Sequence, residues 1–90
     1  MTGTSEDTLL EFPCDFPIKA FGPSAEGFID KVLSIIQPHT DPIMSESIQC
    51  RQSRGGKYDA VTVTITATSK SQLDAIYQGL TACPDVTMAL

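Results

Sequence analysis

Val61-Thr62-Val63-Thr64-Ile65-Thr66-Ala67-Thr68 alternates apolar and polar residues without a break. Successive side chains of a β-strand point to opposite faces. The run therefore sets Val61, Val63, Ile65 and Ala67 on one face and Thr62, Thr64, Thr66 and Thr68 on the other. A strand with one apolar and one polar face suits an antiparallel sheet covered on one side only. The pattern predicts a strand over residues 58–68.

Immediately before it, Arg54-Gly55-Gly56-Lys57 is a hairpin signal, because glycine supplies the positive φ angles that tight β-turns need. The partner strand is predicted over residues 45–53, with Ile48 and Cys50 alternating against Gln49 and Arg51. That parity assigns Cys50 to the core. Immediately after the threonine strand, Ser69-x-x-Gln72 reads as a capping box. A helix follows over residues 70–82, with Leu73, Ile76, Tyr77 and Leu80 spaced i, i+3, i+4 and i+7. Gly79 weakens it slightly. Pro84-Asp85 turns the chain into a last strand over residues 86–90.

Toward the N-terminus, residues 16–21 form a further strand, with Phe16, Ile18 and Ala20 on one face and Pro17, Lys19 and Phe21 on the other. Gly22-Pro23 is expected to stop it. Ser24 is placed as the N-cap of a helix over residues 25–37, whose Phe28, Ile29, Val32, Leu33, Ile35 and Ile36 share one arc. Pro38 ends that helix, and residues 39–42 are a loop. Residues 1–8 read as a flexible polar tail, and Leu9-Leu10-Glu11-Phe12-Pro13 as an apolar patch packed on the body.

The order is β-α-β-β-α-β in one domain over residues 9–90. The simplest way to bury two amphipathic helices and one apolar sheet face is to pack both helices on the same side of the sheet. The expected fold is α+β: a ferredoxin-like βαββαβ two-layer sandwich, with a four-stranded antiparallel sheet and two helices on one face. The other face is left open.

Composition narrows the function classes. Six basic and eleven acidic residues give a net charge of −5. That disfavours nucleic-acid binding, which rests on neutralising phosphates, and attachment to an anionic membrane. No apolar run is long enough to span a bilayer, and residues 1–8 lack the basic and apolar stretches of a signal peptide. Three widely spaced cysteines, Cys14, Cys50 and Cys83, suit a reducing compartment, so a cytoplasmic location is expected.

The string Leu9-Leu10-Glu11-Phe12-Pro13, then residues 16–22 with Lys19, His39, residues 53–58 around the glycine turn, Val61 to Ala67, and Val86-x-Met88-x-Leu90 resembles, in that order, the YbeD family of small bacterial proteins of unassigned function. The resemblance covers nearly the whole chain after Thr8. It implies a ferredoxin-like fold similar to ACT-type regulatory domains, and a regulatory connection with lipoate metabolism. It supplies no catalytic residues to carry over. The polar N-terminus is longer than the family's, and Cys83-Pro84 before the last strand is a second departure.

Candidate sites follow from the open face. Thr62, Thr64, Thr66 and Thr68 are good strand formers that tolerate water, and they could equally form a docking surface, joined by Lys19 and Phe21 if their strand is the neighbour. Arg51, Arg54 and Lys57 place half of the basic residues within seven positions. That cluster is either solvated hairpin charge or a contact for an anion or an acidic partner. His39, the only histidine, suits the end of a helix. The cysteines with His39 lack metal-ligand spacing, and no catalytic group, metal site or cofactor is assigned.

The expected role is a non-catalytic regulatory or adaptor domain that binds a protein partner, or a second copy of itself, through the open face. By fold analogy, an ACT-type metabolite sensor with a small-molecule ligand at a dimer interface is the alternative. RNA recognition by this βαββαβ order would need aromatic residues on the central strands, where the third strand offers threonines.

Overall fold

The structure, a computed structural model, describes residues 11–90. The expectations for residues 1–8, Leu9 and Leu10 lie outside the described residues. The elements are β1 (Cys14–Pro23), α1 (Phe28–Ile36), β2 (Ile48–Gln52), β3 (Tyr58–Ala67), α2 (Lys70–Ala82) and β4 (Met88–Ala89). Two 3-10 turns, Gln37–His39 and Ser45–Ser47, lie between α1 and β2. The sheet order is β2-β3-β1-β4, with every neighbouring pair antiparallel. This is the ferredoxin-like arrangement that the sequence predicts.

The threonine run sets the frame. β3 pairs with β1 over ten residues, from Cys14↔Ala67 to Pro23↔Tyr58. Directly opposed residues share a face, so Val61, Val63, Ile65 and Ala67 meet Ala20, Ile18, Phe16 and Cys14 on the helix side. Against them pack Phe28, Val32 and Ile36 of α1, Leu73, Ile76 and Leu80 of α2, and Val86. Each large aliphatic side chain buried there contributes about 1.5–3 kcal/mol relative to an exposed one. Phe12 also packs on this cluster, as expected of the apolar patch before β1.

Several local expectations are corrected. Gly22-Pro23 does not stop β1; both residues continue it, opposite Asp59 and Tyr58. Gly22 is needed for close approach: a Cβ there would stand 2.2 Å from the Asp85 carbonyl oxygen and 2.7 Å from a Phe28 ring carbon. Pro17 also lies within β1. The N–H groups of Lys19 and Leu90 bond to each other's carbonyls, so odd-numbered β1 residues direct their amides toward β4. At Pro17 the β4 pairing has already ended, and the missing N–H leaves no ladder bond unmade.

Ser24 is not a helix cap. Its Oγ accepts from Gln52 Nε2 at 3.2 Å, and its N–H donates to the Lys57 carbonyl. The chain turns through residues 25–27, and α1 begins at Phe28 behind Gly27, whose φ of 86° lies in the left-handed region that glycine tolerates. β2 starts only at Ile48, because residues 45–47 are wound into a 3-10 turn. β4 is shorter than predicted, since the Val86 N–H is used in the turn, bonded to Cys83 O. By contrast, α2 spans the predicted residues and Ser69 caps it, accepting from Gln72 N at 3.1 Å.

Candidate functional site

Two helices cover one side of the sheet, so the alternate residues of each strand face outward. Cross-strand rows define that open face. Gln49, Thr62 and Lys19 form one row, and Arg51, Ala60, Phe21 and Met88 form the next. The mutual hydrogen bonds of Lys19 and Leu90 extend the first row to Leu90. Toward the hairpin, Tyr58 lies opposite Pro23. Toward the other end, Thr64 and Thr66 lie opposite Pro17 and Asp15.

The face is uneven because Ala60 is small. Around it, Lys19 and Phe21 from β1, Gln49 and Arg51 from β2, and Thr62 line a concavity of about 560 Å³. Beside it are apolar side chains that burial would remove from water: Tyr58 is 53% exposed, Met88 53% and Leu90 59%. Three of the four large hydrophobics that stand most exposed among the described residues thus lie on this one face. An apolar patch rimmed by polar groups marks an interaction surface more often than a chance exposure.

The predicted site residues divide. Lys19, Phe21 and Thr62 come together with Arg51 around the concavity. Thr64 and Thr66 share the face farther along β3, where both are exposed. Thr68 does not belong to it: β3 ends at Ala67, and the Thr68 N–H and Oγ1 both meet Gln72 Oε1, at 2.7 and 3.2 Å. Arg54 and Lys57 sit in the hairpin, exposed, beside the row that ends in Arg51. The turn there is closed by Gly56 N–H to Ser53 O, with positive φ at Gly55 and Gly56.

Other members of the face went unread in the sequence. Ala60 and Gln49 follow from parity once β3 and β2 are in register. Met88 and Leu90 are harder, because Val86-x-Met88-x-Leu90 looks like one buried stripe. Only Val86 is buried; Met88 lies opposite Phe21 and so faces outward.

Chemistry-bearing groups elsewhere are sparse. Cys50 shares the side of Val61, but it is exposed rather than core, because β2 is an edge strand that the helices do not cover. Desolvation, and then the charge of Asp59, push its thiol pKa up, which disfavours the reactive thiolate. Asp59 is itself buried, and its Oδ1 has no hydrogen-bond partner. Opposite it, Gly22 offers no side chain, and Gln52 turns its amide to Ser24 instead. His39 is exposed at the end of the 3-10 turn that follows α1, and its carbonyl accepts from Gln72 Nε2 at 2.8 Å. Among the described residues, no group of three or more His, Cys, Asp or Glu side chains could hold a metal ion. None of their helices is long and apolar enough to cross a membrane.

Comparison with known proteins finds relatives over most of the chain. A family described as protein of unknown function (DUF493) matches residues 7–90. UPF0250 protein NE1487 of Nitrosomonas europaea is 46% identical over 86 residues, covering 96% of this chain and 99% of that protein. A UPF0250 protein of Paraburkholderia phytofirmans is 40% identical over 84 residues, covering 93% and 94%. One from Chromobacterium violaceum is 42% identical over 82 residues, covering 91% and 92%. The solution structure of protein HP0495 from H. pylori superposes with a TM-score of 0.77 at 14% identity, covering 100% of this chain and 94% of that one. That likeness concerns the fold alone.

Proposed function

The chain belongs to the family described as protein of unknown function (DUF493), whose UPF0250 members are the YbeD-like proteins that the sequence resembles, and from that premise we propose that it is a non-catalytic regulatory or adaptor domain that docks a protein partner on its open sheet face. One observation carries this reading. Phe21, Tyr58, Met88 and Leu90 gather on a face that no helix of the described residues covers. Water contact at such a patch is unfavourable, and a partner that covers it gains about 25 cal/mol for each Å² of apolar surface removed from water.

The threonines fit this role. Thr64 and Thr66 keep the remainder of the face β-branched and polar, so the uncovered sheet stays compatible with water until the partner arrives. The connection with lipoate metabolism implied by the resemblance is part of the same proposal. It makes lipoate-related compounds and a lipoyl-carrier protein the first additions to try.

The test compares wild type with a Phe21→Asp, Met88→Asp double variant. Both proteins are immobilised, incubated with extract and with a lipoyl-carrier protein, and the captured proteins are compared. The expected result is at least one stoichiometric partner held by wild type and lost by the variant, with backbone amide shifts confined to the open face when that partner is added to labelled protein. A partner retained equally by the variant would overturn docking on this face.

A further inference from the structure

We infer that the open face selects an acidic, apolar-interrupted polypeptide segment, with Lys19 and Arg51 receiving its carboxylates on either side of Ala60. This rests on the docking role just proposed and specifies the chemistry of the partner.

The argument is one of charge placement. The chain carries a net charge of −5, yet two of its six lysines and arginines meet on the open face and two more stand in the hairpin beside it. Lys19 and Arg51 line the concavity, and Arg54 and Lys57 follow in the adjoining hairpin. None of these four is ion-paired with another described residue. The other two cations lie on the helices: Lys31 is bonded to Asp85, and Lys70 begins α2. Among the strand residues of the open face, only Asp15 is acidic, at the far end opposite Thr66. A positive spot therefore stands without an ion-pair partner among the described residues of an acidic molecule.

The spacing suits a peptide. Lys19 and Arg51 lie diagonally on either side of β3, in successive rows, about 10 Å apart across two strand spacings and about 7 Å along them, with Thr62 and small Ala60 between. In an extended segment, alternate residues lie about 7 Å apart and point the same way. Carboxylates at such positions reach the two long side chains, while apolar residues of the segment cover Phe21 and Met88. A nucleic acid fits less well. A continuous polyanion would meet repulsion from the rest of the acidic surface, and its affinity depends on many phosphate contacts rather than two to four. An acidic polypeptide confines its charge to the few positions where the cations stand.

The experiment is selection of a random peptide library on immobilised wild-type protein, on a Lys19→Glu, Arg51→Glu variant and on a Lys19→Gln, Arg51→Gln variant. Unchanged amide spectra outside the face first verify that both variants fold. The expected outcome is that wild type enriches peptides rich in Asp and Glu alternating with apolar residues. Their binding should weaken at least tenfold in the Gln variant at low salt, and rising salt should weaken wild-type binding more steeply than the variant's. The Glu variant should enrich Lys- and Arg-bearing peptides instead. Enriched peptides that shift open-face amides but show no acidic bias would overturn the charge assignment and leave docking on this face standing. Enriched peptides whose shifts lie elsewhere, or no enrichment at all, would overturn both. Tighter binding of a single-stranded oligouridylate than of any selected peptide would reassign the face to RNA.

Discussion

At Gly22 a Cβ atom would stand 2.2 Å from the Asp85 carbonyl oxygen and 2.7 Å from Phe28, so single atoms decide how β1, α1 and the turn before β4 meet. Gly22→Ala is expected to lower unfolding stability by about 1–3 kcal/mol, the range for overpacking a filled site. Gly27→Ala, in open space but at a φ of 86°, is expected to cost about 1–2 kcal/mol through backbone strain alone. Urea denaturation of the two variants checks both. Titration of Tyr77 gives a second measurement at this scale. Burial raises its phenol above the ordinary value of 10.0, because the phenolate would be poorly solvated. A folded-state pKa raised above the unfolded one gives stability that is fully present below the unfolded value and lost as pH climbs through the folded value. The protein should therefore lose stability on the alkaline side of pH 10 as Tyr77 ionises. In a Tyr58→Phe variant, the ultraviolet absorbance of phenolate should rise at a higher pH than that of an exposed tyrosine.

Helix α2 shows how an element signal can be right in kind and different in detail. Ser69 caps the helix as its Ser-x-x-Gln pattern predicts. Gln72, however, reaches past Ser69, accepts from the Thr68 N–H and Oγ1, and donates to the His39 carbonyl. The cap thereby ties the end of β3 to the 3-10 turn after α1. Ser69→Ala should cost about 1 kcal/mol, the usual loss for an N-cap. Gln72→Ala should cost about 1–2 kcal/mol and should also raise amide exchange at Thr68, which Ser69→Ala would leave protected. Hydrogen exchange monitored by NMR distinguishes the two. Gly79 has a packing reason as well: a Cβ would come within 2.9 Å of Ile35 Cγ2, so the weaker helix propensity of glycine is exchanged for close contact between the helices.

Across the whole molecule, the two sides of one sheet play different parts, and substitution should separate them. Val63 is fully buried on the helix side and Met88 is half-exposed on the open side. Val63→Ala is expected to cost about 2 kcal/mol or more through the cavity it leaves. Met88→Gln should stay within about 0.5 kcal/mol, as surface changes do, while weakening capture of the proposed partner. Thermal melts paired with binding measurements check this; a Met88→Gln variant that unfolds as readily as Val63→Ala would show that the open side is part of the core.

Much of this architecture is legible in local pattern. Two-residue alternation marked β3 and assigned its threonines outward; the 3.6-residue spacing and Ser69 marked α2; paired glycines marked the hairpin. These signals are carried by residues close together in the chain, where sterics and capping act directly. The positions misread are those that depend on distant neighbours. Ser24 was free to cap a helix until Gln52 and Lys57, brought close by strand pairing, took its groups. Cys50 had the parity of a core residue, but the helices do not extend over the edge strand. Met88 and Leu90 were given no face by the sequence, and pairing with β1 turns them outward. The sequence by itself determined the order of elements and which stripe of each is apolar, because periodicity is a local property. Only the tertiary structure decided which apolar residues remain in water and that Lys19, Ala60 and Arg51 share one concavity, because that requires three strands, two of them not consecutive in the chain, to lie side by side in one register.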